Sequence, residues 1–470
     1  MSDKLVKLRR HYGVLHGIGC VCGLMFGAGV YIAPTGVLRQ VRSGPLSIVI
    51  WGCAGLFSFV ASLIYAELGT TYPVSGEKYA YLLKMYGRKI AFLYLWTYLF
   101  LFRSCVNAVK CIAFAKYILE PIFGCDNMPP YADFILALLF GWVPVIANCF
   151  YVKWAARGQT IMTFMGIAAM LSIIVTAIYK VASTGDFGDL STGFSTGNYD
   201  IESLCFGFYS ALWALWGFPL NFMIDELKKP ERNLPIIATC SMIITIVLYS
   251  LVNFAYVVVL GAETVANNVA VASLFAKKIW GPGWILINLC ISSNIASSFN
   301  SGIVIGSRLT HASAKRKDLA DALGLVSIKY LTPITAIIFQ GILTTLMMLL
   351  KDIFVIINLS VFTNQMFEIL VIIGLIINRF KKPDIPRPFK VPIILIICFA
   401  ITMIGQALLS GWKKPLQTVL GFVITVSTGF TYYILFIYIE KKPKFYIDMR
   451  RKITILLQKT FYASEEDLVP

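Results

Sequence analysis

Glycines at positions 23, 27 and 29, followed by Pro34, lie inside the first long apolar run of this chain. Gly217 and Pro219 interrupt a second such run near the middle. At membrane depth a glycine or proline weakens the helical hydrogen-bond ladder, so a helix can come apart there and leave peptide dipoles unpaired. Such a break is tolerated only where protein or a watery cavity surrounds it. The chemistry on offer is binding. A half-helix beginning near Gly29 presents N–H groups and a positive dipole end to a carboxylate. Half-helices ending near Met25 and Trp213 present carbonyls to an ammonium group, and Gly27, Ala28 and Gly29 let a ligand approach the backbone closely. A small zwitterion suits these dipoles without a buried ion pair. Bond-making chemistry has no support: the chain carries no HExxH, P-loop or nucleophile motif, and no Cys/His set at metal-ligand spacing.

Several ionisable or polar residues also fall within apolar runs, where they are costly and often functional. Arg103 in LFLFRSC can hold an anionic ligand or a structural partner. Glu67 can relay protons or tie a helix end to a nearby loop. Glu368 can carry a proton or pair within the bundle. Asn294 and Asn300 can line a cavity or bond neighbouring helices, and His311 reads as a solvated helix-end residue. The cysteines inside apolar runs, such as Cys20 and Cys22, read as small core residues. Cys125, in EPIFGCDNMPP, is different. It alone falls in a predicted extracellular loop, where an intermolecular disulfide or a free thiol is the choice.

The elements that must position these residues are membrane spans. Of 470 residues, 58% are hydrophobic and 14% charged, and the mean hydropathy is +0.76. So much apolar surface excludes a soluble protein. A span needs about 20 mainly apolar residues. Twelve are predicted, at 12–40, 45–72, 89–120, 131–151, 157–181, 201–226, 234–260, 282–310, 330–350, 353–379, 391–411 and 415–438. All should be helical, because lipid offers no partner to an open backbone. The charged start MSDKLVKLRR leads directly into a first span too long for a signal peptide, so that span is expected to be retained. This divides the chain into an N-terminal stretch (1–11), a membrane domain (12–440) and a C-terminal tail (441–470). In the tail, residues 445–463 alternate apolar and basic groups, which fits a helix lying on an anionic leaflet or a frayed end.

The net charge of +17 does not imply nucleic acid. The basic residues gather at 4–10, 84–89, 228–232, 315–317, 381–390 and 441–452, all on one side of the predicted topology. The opposite loops carry Glu120, Asp126, Asp186, Asp189 and Asp200. By the positive-inside rule both termini are cytosolic. The first five spans, 12–181, match the next five, 201–379, in number and length, and each set opens with its interrupted helix. An odd number of spans makes such repeats inverted, with a binding site at mid-membrane between them.

Four segments in order then resemble a known family: GAGVYIAPTGVL in the first span, YAELGTTYPVSGEKYAYL after the second, DELKKPERNLP after the sixth and KKPDIPRPFKVP before the eleventh. They are similar to the light subunits of the heteromeric amino-acid transporters, within the amino acid–polyamine–organocation superfamily, over about residues 12–438. The resemblance implies an all-α membrane protein of the leucine-transporter type, with two inverted five-helix repeats, discontinuous helices 1 and 6, and two further helices. It implies sodium-independent exchange of amino acids across the plasma membrane, with no cofactor. It also implies a disulfide from Cys125 to a single-pass heavy-chain glycoprotein. The substrate residues it carries over are Met25, Gly27, Ala28, Gly29, Trp213, Ala214, Gly217 and Asn358, with Trp213 as an aromatic gate.

Two departures stand out. Gly166 occupies the place of the family's lysine in the fifth span, which puts coupling between the first and fifth spans in doubt. Leu215 and Trp216 replace small residues at the sixth-span break, and their bulk predicts a preference for small neutral amino acids. A proton-coupled or uniport permease for cationic or aromatic amino acids is a second reading. A transport-dead receptor or assembly subunit is a third.

Overall fold

A computed structural model describes residues 13–73, 77–123, 127, 129–195, 197–215, 224, 227–439 and 444–464. Among these, nine helices are long and apolar enough to cross a bilayer. A tenth span is the bent pair Val14–Met25 and Gly29–Val41, and the shorter apolar helices Ile201–Leu215 and Ile334–Met348 complete the expected twelve. The predicted order of spans holds throughout.

Local chemistry sets several boundaries. Ser43 caps the second span, Gly44–Thr71, with its hydroxyl toward Leu46 N and a proline in the first turn. Asp352 caps the tenth span, Ile353–Lys381, by accepting from Phe354 N at 2.8 Å. The third span is not a uniform α-helix. Its segments Arg88–Thr97 and Ser104–Phe123 are joined by a π-helical turn, Tyr98–Arg103. Turns of this kind frequently lie at functional sites.

The halves of the chain interleave. The first span packs on the sixth, the second on the seventh (Pro230–Leu260), and the third on the eighth (Trp284–Lys315). Pairing each span with the one five places later is what two intertwined five-helix repeats require. The first span breaks where its glycines predict: its halves meet at 51°, and Phe26 leaves helical geometry at φ −70°, ψ 89°. The sixth-span helix runs to Leu215. The predicted break at Gly217, and Trp216 with it, lie outside the described residues.

The tail is an ordered helix, Lys444–Phe461. Arg450 pairs with Asp321, and Val326 and Ser327 form a short antiparallel bridge with Ser464 and Ala463. The tail is therefore tied to the loop after the eighth span, with Ile447, Ile453 and Leu456 left exposed.

Candidate functional site

A cavity of about 200 Å³ opens at the break in the first span. Met25, Gly27, Ala28 and Gly29 line one wall, and Trp213 and Ala214 of the sixth span line the next. Glycine is required by packing at two of these positions. A Cβ on Gly29 would lie 2.7 Å from Ala214 Cα, and one on Gly27 would lie 2.5 Å from Ser298 Oγ. Six of the eight predicted substrate residues thus border one space. Gly217 is outside the described residues, and Asn358 is not among the residues that line this space. It is buried on the tenth span but does not reach the cavity, whose wall there is Val361 and Asn364, further along the same helix. The asparagine lies on the appropriate stripe, one turn beyond the end of the space.

The carbonyls at the break are also less free than the sequence suggests. Tyr249 donates its hydroxyl to Met25 O at 2.8 Å, and Asn294 Nδ2 lies 3.5 Å from Phe26 O. The first and fifth spans remain connected without a lysine: Tyr31 donates to Gly166 O at 3.0 Å, and any side chain at Gly166 would overlap Asn294. The absent side chain is what admits Asn294 to the break. Asn300, by contrast, is helix-to-helix adhesive, accepting from Asn148 at 2.5 Å and donating to Gln159 at 2.7 Å.

The remaining wall is basic. Lys78, Arg103 and Lys110 all line the cavity. Lys78 is neutralised, 2.6 Å from Glu368 and 2.7 Å from Asn364 Oδ1, so Glu368 pairs within the bundle. Arg103 rests over the Tyr98 ring, 5.1 Å from its centroid, and donates to that residue's hydroxyl. Its Nε is buried without a hydrogen-bond partner, and no carboxylate pairs with it among the described residues. Lys110 donates to Ser298 O at 2.9 Å and likewise faces no described carboxylate. Glu67 lies elsewhere and is structural. It accepts from Arg379 through both oxygens and from Val391 N at 2.8 Å, joining the second, tenth and eleventh spans.

Sequence reasoning names Arg103 and misses Lys78, Lys110 and Asn364 as cavity residues. Lys110 carries a usable signal, a lysine inside the apolar run CVNAVKCIAFA. Lys78 has none, since it belongs to a polar stretch, and only the helix Glu77–Tyr86 tucked against the tenth span brings it inward. Beside it, Tyr79 donates to Asp318, which Arg88 also grips at 2.8 Å. Burial and the Asp318 carboxylate push the Tyr79 phenol up, so it stays a neutral donor.

Interleaved repeats around a cavity at a broken helix define a membrane transporter of the leucine-transporter type rather than an enzyme. Comparison with known proteins agrees. The amino acid permease family matches residues 13–442. The human cystine/glutamate transporter is 34% identical over 458 residues, covering 97% of this chain and 91% of its own. The mouse large neutral amino acids transporter small subunit 2 is 31% identical over 463 residues (97% and 86%). The human b(0,+)-type amino acid transporter 1 is 27% identical over 439 residues (93% and 90%). The chain belongs to the amino acid permease family, among the light subunits of heteromeric amino-acid transporters.

Proposed function

We propose that this chain exchanges amino acids across the plasma membrane, without sodium, and that its preferred substrate carries a carboxylate on the side chain. The observation that carries the substrate class is Arg103: a guanidinium in the cavity wall, with a buried Nε that has no partner and no described carboxylate to neutralise it. A half-buried guanidinium with an unsatisfied Nε gains from the arrival of an opposite charge, so an anionic group gains more here than a neutral one. Cationic substrates are opposed by the same field, which Lys110 reinforces. One relative at 34% identity is named for cystine and glutamate, another at 31% for large neutral amino acids, and Arg103 favours the first direction.

This departs from the small neutral substrate expected from the sequence. That expectation rested on bulk at Leu215 and Trp216. Leu215 is 1% exposed and is not among the residues that line the cavity, and Trp216 lies outside the described residues. The substrate contacts would be Gly27, Ala28 and Gly29 for the zwitterionic end, Trp213 as a closing aromatic, and Arg103 for the side chain. In this reading the termini are cytosolic, as the basic loops suggest. Cys125, outside the described residues, would join a single-pass heavy-chain glycoprotein.

Counterflow in proteoliposomes tests the proposal. Uptake of labelled L-glutamate should rise with internal amino acid and be indifferent to sodium and to a proton gradient. Arg103→Gln should weaken glutamate uptake at least tenfold relative to glutamine, the scale of a charge-assisted hydrogen bond. Acid-driven uptake into empty vesicles would instead establish proton coupling, and binding without flux a receptor. An unchanged glutamate-to-glutamine ratio in Arg103→Gln would overturn the substrate assignment.

A further inference from the structure

Lys110 is unexplained by a site that reads one side-chain carboxylate through Arg103. It lies in the apolar middle of the third span, is 9% exposed, and lines the same cavity. Seven residues separate it from Arg103, two helical turns along one face, or about 10 Å of rise. The eighth span is shaped to receive this face. Lys110 reaches Ser298 O, a side chain at Gly302 would overlap Asn107 Oδ1, and one at Gly306 would lie 3.3 Å from Arg103 Cγ. The two basic groups therefore occupy different ends of one groove. Lys110 is at the end that meets the broken first span, because Ser298 also touches Gly27.

An ammonium group has three donors. Ser298 O takes one at 2.9 Å, and no other acceptor is recorded among the described residues. Lys110 lines the same cavity as Gly29, which opens the helix Gly29–Val41, and the first N–H groups of that helix carry positive partial charge. Two positive features converging on one small space call for an anion. The only anionic group that every amino acid brings is its α-carboxylate.

We propose that Lys110 and the start of the Gly29 half-helix together hold the substrate's α-carboxylate, leaving the side chain directed along the third span toward Arg103. The proposal rests on the transporter reading above, and it divides recognition between two cations. Lys110 reads what all amino acids share, and Arg103 reads what distinguishes acidic ones. Its consequence is a substrate held at both ends, with affinity set at Lys110 and selectivity at Arg103.

The test uses the purified full-length chain and ligand-induced thermal stabilisation with L-glutamate, L-glutamine and γ-aminobutyrate, the last lacking an α-carboxylate. Lys110→Met should weaken glutamate and glutamine alike, by about tenfold to a hundredfold, the effect of losing a charged hydrogen bond. The ratio between the two ligands should stay at the wild-type value. Lys110→Arg should restore part of the loss, and γ-aminobutyrate should stabilise no form of the protein. Should Lys110→Met fail to give a monodisperse species, Lys110→Gln against Lys110→Arg makes the same comparison. Unchanged affinity for both amino acids would show that Lys110 only ties the third span to Ser298, which overturns the proposal. A loss confined to glutamate also overturns it, by making Lys110 a second reader of the side chain. Absence of stabilisation of the wild type by either amino acid would sink the substrate reading on which the proposal rests, while an altered ratio in Arg103→Gln alone leaves that reading intact.

Discussion

Gly29 and Ala214 bring the backbones of the first and sixth spans into direct contact, closely enough that a Cβ on Gly29 would lie 2.7 Å from Ala214 Cα and 2.9 Å from its Cβ. No rotamer change relieves an overlap with backbone, so Gly29→Ala must push the two discontinuous helices apart. Overpacking of this kind costs about 1–3 kcal/mol. Transport per molecule of purified protein should fall at least tenfold in this variant, since the displaced helices form the cavity. Gly23→Ala, where nothing lies within 4 Å, should transport normally. Equal activity in the two variants would refute the close-approach argument.

Glu67 and Arg379 are fully and largely buried, and the carboxylate also accepts from Val391 N. Neutralising one member leaves the other as an uncompensated buried charge, which costs about 3–5 kcal/mol. Glu67→Gln should lower the melting temperature of the solubilised protein by several degrees, with ligand affinity preserved because Glu67 is not a cavity residue. A proton-relay role predicts the reverse, an intact melting curve and an altered pH dependence of uptake.

Lys78, in the cavity wall, pairs with Glu368 at 2.6 Å. Either single change, Lys78→Met or Glu368→Leu, exposes a lone charge in a poorly hydrated place. The double variant removes both and should be more stable than either single one, with a coupling energy of about 1–3 kcal/mol in a thermodynamic cycle. Additive losses would mean that the pair is not coupled.

Tyr249 holds the last carbonyl of the first half-helix, at Met25. Tyr249→Phe deletes that bond at nearly constant volume, for about 1 kcal/mol. Local opening should become about fivefold easier, which hydrogen exchange of peptides covering residues 22–29 will report as faster uptake of deuterium. Protection equal to the wild type would indicate that the break is held by other contacts, such as that of Asn294 at Phe26.

Much of this architecture is legible in the linear chain, since the bilayer imposes a simple rule: a span needs a sufficient apolar run, and a glycine cluster within one weakens it. That rule locates the spans and the break around Gly27. The acidic residues show where it stops. Glu67 and Glu368 both read as helix-buried carboxylates with two possible roles, and the choice depends on Arg379 and Lys78, each about three hundred residues away in the chain.

The sequence by itself determined that this is a polytopic helical protein with a broken first span, because hydrophobicity, charge bias and glycine content are local properties. Only the tertiary structure decided which charges share the cavity. A basic residue's partner, or its lack of one, depends on which helix faces it. The π-turn at Tyr98–Arg103 and the small residues of the eighth span bring Arg103 and Lys110 to one groove that no carboxylate lines among the described residues. Side-chain encounters between distant segments are set by packing, and no spacing along the chain records them.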